Sequence, residues 1–460
     1  MSSATQVSQL PQNAFSGRRL RTASFWVFCG YATGQILRLL SNLVMTRMLA
    51  PEMFGIMALA NVVIAGVQML TDMGIQKSII QSREGDQKRF LNTAWVLQIA
   101  RGACLAAIVC GFALALWLIG SGLPASSVYS HPDLPIVLCI LASSLIISGF
   151  RSTKSAVANR KLHMGRLTTI ELMAQICAFM TMIVWASYSP DVWALVAGTV
   201  TASIVKIGVE FLWLPGETNR FQWDRRYAGE IFHFGKWIFA SSLLTYWVLN
   251  GDRIILGLDI TAREMGIYSI AIFVVASVRD TTNNILQKVM YPALSRALQE
   301  GHDHVAVYYR FRLPLDFLIC GLCGFLAVAG EQIIWTLYDE RYSEAGMFLV
   351  FLSVGMLGDR YRGLGLYYQS QGKPKKMMPI ALWRAVLFTL GLPLALHEYG
   401  FFGAVAFLGI YPILTVPLLL YLKYRAGLMR VSREIGYTAF ILPGAAAGYL
   451  FNWGVQYFIG

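Results

Sequence analysis

Along this 460-residue chain, apolar runs of about 20 residues alternate with short polar segments from residue 22 almost to the last residue. About 20 helical residues cross the hydrocarbon core of a bilayer, so the pattern predicts helical spans. They fall at about 22–46, 55–76, 91–119, 134–153, 168–187 and 191–213, then at about 237–257, 265–287, 313–337, 344–368, 377–397 and 401–422. A thirteenth apolar stretch, 435–459, contains Pro443 and Gly444 and has no partner after it. It is expected to span once or to lie at the interface. Residues 1–20 are polar and rich in Ser and Gln, with Arg18, Arg19 and Arg21 leading into the first run. That run is too long for a signal-peptide core and lacks a small-residue cleavage site, so it is expected to remain as the first helix.

Composition agrees: 56% of the residues are hydrophobic and only 14% charged, against roughly 25% charged in ordinary soluble domains. An all-α polytopic membrane protein follows, with little chain left over for a soluble domain. Basic residues set the orientation. Even-numbered loops and the amino-terminal tail hold 27 Lys and Arg, whereas odd-numbered loops hold only Arg47, Arg263 and Arg341. By the positive-inside rule the amino terminus and every even loop are cytoplasmic. The formal charge of +13 is thereby mostly a topology signal. It gives nucleic acid no support as a partner, and leaves anionic lipid headgroups as one.

PEMFGIMALA around Gly55 resembles AREMGIYSIA around Gly266, and at the same offset Trp26 falls on Trp237. Six spans separate the copies, so both halves enter the membrane in the same direction. The expected organisation is a tail (1–21), a first six-helix lobe (22–213), a linker (214–236), a second six-helix lobe (237–422) related by a parallel repeat, and a basic loop with the terminal apolar segment (423–460).

Polar residues inside the runs fall into stripes at helical spacing. Tyr31, Gln35, Arg38 and Asn42 share one face of the first span; Asn61, Gln68, Asp72 and Gln76 share a face of the second. The third offers Trp95, Gln98 and Arg101, the sixth Lys206 and Glu210, and the eighth Arg279, Asp280, Asn283, Asn284 and Gln287. Such stripes face protein or water, and together they predict a central cationic cavity. A guanidinium near the bilayer centre costs roughly 2.5–3.5 kcal/mol even on the lenient insertion scale, so Arg38, Arg101 and Arg279 require an anionic ligand or an acidic partner. Asp72, Glu171 and Asp359 are the candidate partners, and Arg384 lies between the two readings. Lys206 and Glu210, four residues apart, are expected to pair with each other. Asp252 and Arg253 lie near the outer end and are expected to snorkel.

Other chemistry is thin. Cys320 and Cys323 form a lone CxxC inside a span, without the second pair or the histidines that a metal site needs. His302 and His304 flank Asp303 in a solvated loop. No GxxxxGK[ST] phosphate loop is present, so nucleotide hydrolysis by this chain is not expected, and neither is an enzyme.

MTRMLAPEMFGIMALA (45–60) and TDMGIQKSIIQ (71–81) resemble the first-hairpin signature of the polysaccharide and oligosaccharide flippases of the multidrug/oligosaccharidyl-lipid/polysaccharide exporter superfamily. FLNTAWVLQIARG (90–102), GDRIILG (251–257), EMGIYSIA (264–271), YPALSR (291–296) and QSQGKPKK (369–376) extend the likeness over almost the whole chain. The resemblance implies a V of two lobes around a central cavity, alternating access, and a polyprenyl-diphosphate-linked oligosaccharide as cargo in a bacterial inner membrane. Polysaccharide polymerase and export machinery are further partners it suggests.

Guanidinium matches phosphate oxygens as a bidentate fork. Arg38, Arg101 and Arg279 are therefore the expected headgroup contacts, with Gln35, Asn42, Gln98 and Asn283 bonding sugars. Asp72, Glu171, Asp280 and Asp359 are candidates for proton or sodium coupling, or for ion pairs; no resident cofactor is implied, and drive by the membrane potential remains an alternative. A peptidoglycan-precursor flippase is the alternative function, suggested by the unpaired thirteenth segment, although such proteins carry two extra spans. A cation-coupled multidrug exporter would favour acidic or aromatic first helices over arginine-bearing ones. A glycosyltransferase or polymerase would display acidic residues in sizeable outer loops, and here the longest, about 120–135, holds only Asp133.

Overall fold

The computed structural model describes residues 17–70, 75–82, 84–161, 163–216, 218–301 and 303–459, with the side chains of 17–25, 27–28, 70, 77, 81, 121, 232–245, 374 and 458–459 left out. Residues 1–16 of the expected tail, Asp72, His302 and the Trp237 side chain lie outside the described residues.

Each expected apolar run is helical over most of its described residues. The order is α1 (Gly17–Met48), α2 (Pro51–Leu70), α3 (Ile75–Gln81), α4 (Lys88–Ile119), α5 (Asp133–Gly149), α6 (Lys154–Arg160), α7 (Met164–Tyr188), α8 (Val192–Trp213) and α9 (Arg225–Leu256). There follow α10 (Ala262–Ile285), α11 (Tyr291–Gln299), α12 (His304–Leu337), α13 (Glu344–Asp359), α14 (Arg362–Ser370), α15 (Met378–Leu414), α16 (Val416–Arg425), α17 (Val431–Thr438) and α18 (Ile441–Ile459). Among the described residues seven of these runs are long and apolar enough to cross a membrane, or eight if the bent pair α5–α6 is one span. The chain is a multi-pass membrane protein.

Local chemistry sets several boundaries. Asp191 accepts from the Trp193 N–H at the start of α8, Thr261 and Glu264 form a reciprocal capping box at α10, and Asp303 accepts from the Val305 and Ala306 N–H groups at α12. Each satisfies amides that a helix start leaves open. Gly400, at φ 64°, breaks α15; this left-handed conformation suits glycine and divides the run where two spans are expected. A one-turn π-helix, Leu286–Met290, joins α10 to α11.

The chain divides into two compact units. One takes residues up to Leu49, then Ala60–Gly122 and Pro132–Thr245; the other takes Ala50–Leu59, Leu123–His131 and Tyr246–Gly460. In the first unit α4 packs on α5, α7 on α8 and on α1. In the second, α12 packs on α13 and α18, and α13 on α10 and α15.

The repeated glycines meet within the second unit. A Cβ on Gly55 would stand 1.8 Å from the Ala262 carbonyl oxygen, and a Cβ on Gly266 would stand 1.9 Å from that of Pro51. The contact is reciprocal, the second copy answering the first residue for residue, as in an isologous interface. Segment 123–131 joins the same unit through Ser127 Oγ and the Val128 N–H, which donate to the Gly257 carbonyl at 2.9 and 3.1 Å.

The terminal segment is a helix laid along α12. Gly444 stands against Gly321, Gly448 against Phe325 and Val328, and Asn452 Nδ2 donates to the Val328 carbonyl at 2.9 Å. Small residues at four-residue spacing let two backbones close, as helix pairs in lipid require. Positions advance together on both helices, so α18 runs parallel to α12.

Candidate functional site

In the first unit the site grows from a tight helix crossing. Gly102 on α4 and Gly149 on α5 lie against each other's backbones; a Cβ on Gly102 would come 2.7 Å from the Leu145 carbonyl oxygen. Just beyond, the chain bends by 62° between α5 and α6 and leaves carbonyls without helical partners. Gln98 Nε2 reaches into the bend, donating to the Arg151 carbonyl at 3.2 Å and, at 3.1 Å, to the Ser148 carbonyl that also takes the Arg151 N–H. Trp95 Nε1 donates to that of Phe150 at 3.3 Å. Beside this bend opens a cavity of about 310 Å³, lined by Gln68, Gln76, Gln98, Arg101, Ser148 and Arg151 among others. Arg101 Nη2 donates to the Gln68 carbonyl at 2.7 Å, which holds the guanidinium at the cavity wall.

The other sequence candidates in this unit are placed as follows. Arg38 is exposed on α1, with Gln35 and Asn42 half-buried on either side along the helix. Glu171 accepts from Lys206 Nζ at 3.0 Å. The expected Lys206–Glu210 pair is absent: Glu210 is buried and receives Arg151, whose Nε donates at 2.7 Å. A guanidinium brings two parallel donors to a carboxylate where an ammonium brings a point charge, and the α5 bend aims Arg151 at α8.

In the second unit Asp359 is the hub. It accepts from Arg279 Nε at 2.9 Å and from Arg362 Nε at 2.8 Å, and Arg384 lies within electrostatic reach of all three. Arg279 thus takes the acidic partner that its depth demanded, and one carboxylate faces more than one cation. Arg384 itself reaches Thr415 Oγ1 at 3.4 Å. The helix expected over 344–368 stops at Asp359, and α14 restarts three residues later, which turns Asp359 and Arg362 toward each other. Asp280 is exposed and makes no ion pair among the described residues; Asn283 lines a separate groove with Gln287, Arg362 and Gln369. Asp252 does not snorkel: it is buried and accepts from the Tyr268 hydroxyl at 2.6 Å.

One charged cluster escapes the sequence reading. Arg312 and Lys423, assigned to cytoplasmic loops by charge counting, are buried in the second unit. Arg312 clasps Glu434 with both terminal nitrogens and lies 2.9 Å from Asp316; Lys423 also bonds Glu434, and Arg360 sits 3.4 Å from Asp316. Tyr308 and Tyr309 cover the cations, with Lys423 Nζ 4.9 Å from the Tyr309 ring centroid. Glu434 lies 122 residues from Arg312 and gives no local signal; the one local cue is Asp316, four residues after Arg312 on the same helix face. The cluster ties α12, α13, α16 and α17 together and lines none of the pockets described.

Long apolar helices around arginine- and amide-lined cavities define a polytopic membrane protein with the fold of solved transporters. The fold is shared with a lipid II flippase, MurJ, in an inward closed conformation (TM-score 0.68, 12% identity, 95% of this chain and 100% of that one). It is shared too with an inward-facing multidrug resistance MATE family transporter (TM-score 0.59, 12% identity, 93% and 96%).

The family model described as "Polysaccharide biosynthesis protein" matches residues 44–346, and the chain belongs to that family. Relatives include the lipopolysaccharide biosynthesis protein WzxC of Escherichia coli K12, 23% identical over 65% of this chain, and the teichuronic acid biosynthesis protein TuaB of Bacillus subtilis 168, 23% over 62%. The chain spans 58% of the length of each of these two. A putative O-antigen transporter of Shigella flexneri matches over 87% of this chain and 97% of its own length at 23% identity.

Proposed function

We propose that the protein is a flippase that carries a polyprenyl-diphosphate-linked oligosaccharide from the cytoplasmic to the outer leaflet of a bacterial inner membrane by alternating access, with its amino terminus in the cytoplasm. It is a transporter and not an enzyme. The observation that carries this reading is the arginine- and amide-lined cavity at Arg101 and Gln98 in a chain of the polysaccharide biosynthesis family. A diphosphate concentrates negative charge that guanidinium binds in a fork, while amides suit sugar hydroxyls.

In this reading Arg101 and the exposed Arg38 contact the diphosphate and Gln35, Asn42, Gln98 and Asn283 the glycan, with Arg279 contributing charge from its pair with Asp359. Glu171 and Asp359 are spoken for by Lys206 and by arginines, which leaves Asp280 as the described candidate for proton or sodium coupling. The lipid tail stays in the bilayer, and membrane lipids and polymerase or export machinery are its other partners. A peptidoglycan-precursor flippase draws support from the terminal helix α18, but the named relatives favour surface polysaccharides.

Deleting the gene and analysing lipid-linked glycans on the cytoplasmic leaflet tests the proposal. Accumulation of one diphosphate-linked repeat unit is expected; no accumulation overturns it.

A further inference from the structure

The second unit holds a groove whose hydrogen-bonding capacity is unspent. Asn283, Gln287, Arg362 and Gln369 line about 300 Å³ above an apolar floor that includes Leu366 and Met377. One wall is the end of α10 and the π-turn 286–290, a distortion frequent at functional sites; Asn283 and Gln287, four apart, share its face. The other wall is α14, where Arg362, Leu366 and Gln369 fall at i, i+4 and i+7 on one face. Among the described residues the side chains of Asn283, Gln287 and Gln369 make no hydrogen bond, and Arg362 spends only Nε, on Asp359. Because Asp359 also serves Arg279, the Arg362 charge is only partly cancelled, and its two terminal nitrogens remain a free fork.

The volume sits at the low end of small-molecule sites, roughly 300–1,000 Å³, enough for one sugar ring and too little for a repeat unit. Amides that both donate and accept suit ring hydroxyls, an apolar floor suits a ring face, and a free guanidinium fork suits a carboxylate. We propose that this groove reads one acidic, carboxylate-bearing sugar residue, Arg362 taking the carboxylate and Asn283, Gln287 and Gln369 the hydroxyls. That the sugar belongs to a translocated glycan rests on the flippase reading; the binding itself does not.

The test titrates purified full-length protein in detergent micelles with free glucuronate, glucose and inorganic pyrophosphate, followed by saturation-transfer NMR. Glucuronate is expected to bind roughly tenfold more tightly than glucose, since only it engages the charged fork. Arg362→Gln should erase that preference. Gln369→Ala should weaken both sugars and leave pyrophosphate unchanged; as Gln369 is exposed and bonded to no side chain, it decides the matter even where Arg362→Gln fails to fold. Equal affinity for the two sugars in the unaltered protein, or full binding in the Gln369→Ala protein, overturns the proposal. Preserved glucuronate preference in a protein that moves no lipid-linked glycan would instead count against the flippase reading and leave the groove standing.

Discussion

Arg312 clasps Glu434 across 122 residues of chain, both guanidinium nitrogens on both carboxylate oxygens, in a site where neither side chain meets solvent to any extent. Removing one member of such a pair strands the other charge in a low-dielectric interior and costs about 3–5 kcal/mol. Glu434→Ala is therefore expected to lower the melting temperature of the detergent-solubilised protein sharply, because Arg312 and Lys423 lose their shared acceptor. An unchanged melting curve would show that the cluster is not what fastens α17 to α12.

The same carboxylate predicts an acid limit. Burial pushes Glu434 up, but the hydrogen bonds and charges of Arg312 and Lys423 outweigh it and hold the group at about 2, below its ordinary 4.5. A depressed native value means that its contribution is complete above pH 4.5 and drains away as the pH falls toward 2. Melting curves taken at intervals between pH 6 and pH 2 should therefore fall in that window, and Glu434→Gln should flatten the fall.

At the reciprocal Gly55 and Gly266 contact, an added methyl group has nowhere to go. Gly55→Ala and Gly266→Ala should each destabilise the protein by roughly 1–3 kcal/mol, the usual cost of overpacking, through the Ala262 and Pro51 carbonyls respectively. Similar losses from the two variants would reflect the matched geometry. A stable Gly55→Ala protein would mean that the two segments do not meet in this way.

The arginines separate binding from folding. Arg38→Ala, on an exposed position, is expected to stay within about 0.5 kcal/mol of the parent stability and yet to lower transport of the lipid-linked glycan. Arg279→Ala should lose stability as well, because Asp359 then loses one of its two cations. Equal transport by the Arg38→Ala and Arg101→Ala proteins and the parent would remove these two residues from the diphosphate site.

Helices were the most legible part of this chain, since a run of about 20 apolar residues has few alternatives in lipid. Breaks were legible where a glycine made them, as at Gly400, and illegible where side-chain chemistry did, as at Asp359. Faces could be read from helical spacing, and Gln98 and Arg101 do line one cavity. Neighbours could not. Nothing local assigns Glu210 to Arg151 rather than Lys206, or Asp359 to the distant Arg279; only Arg362, three residues on, lies within local reach of Asp359. Charge counting is also silent on burial: Arg312 and Lys423 count among the basic loop residues yet are buried, because a cation at the edge of an apolar run looks the same whether it meets water or a buried carboxylate.

Because α18 tracks α12 in the same direction, with Gly444, Gly448 and Asn452 climbing past Gly321, Phe325 and Val328, Ile459 leaves the bundle at the end where Leu337 does. A helix that crosses the membrane co-directionally with α12 begins at the face where α12 begins and ends at the face where α12 ends. A tag appended after Gly460 and one inserted in the basic turn at 426–430 should therefore report opposite compartments.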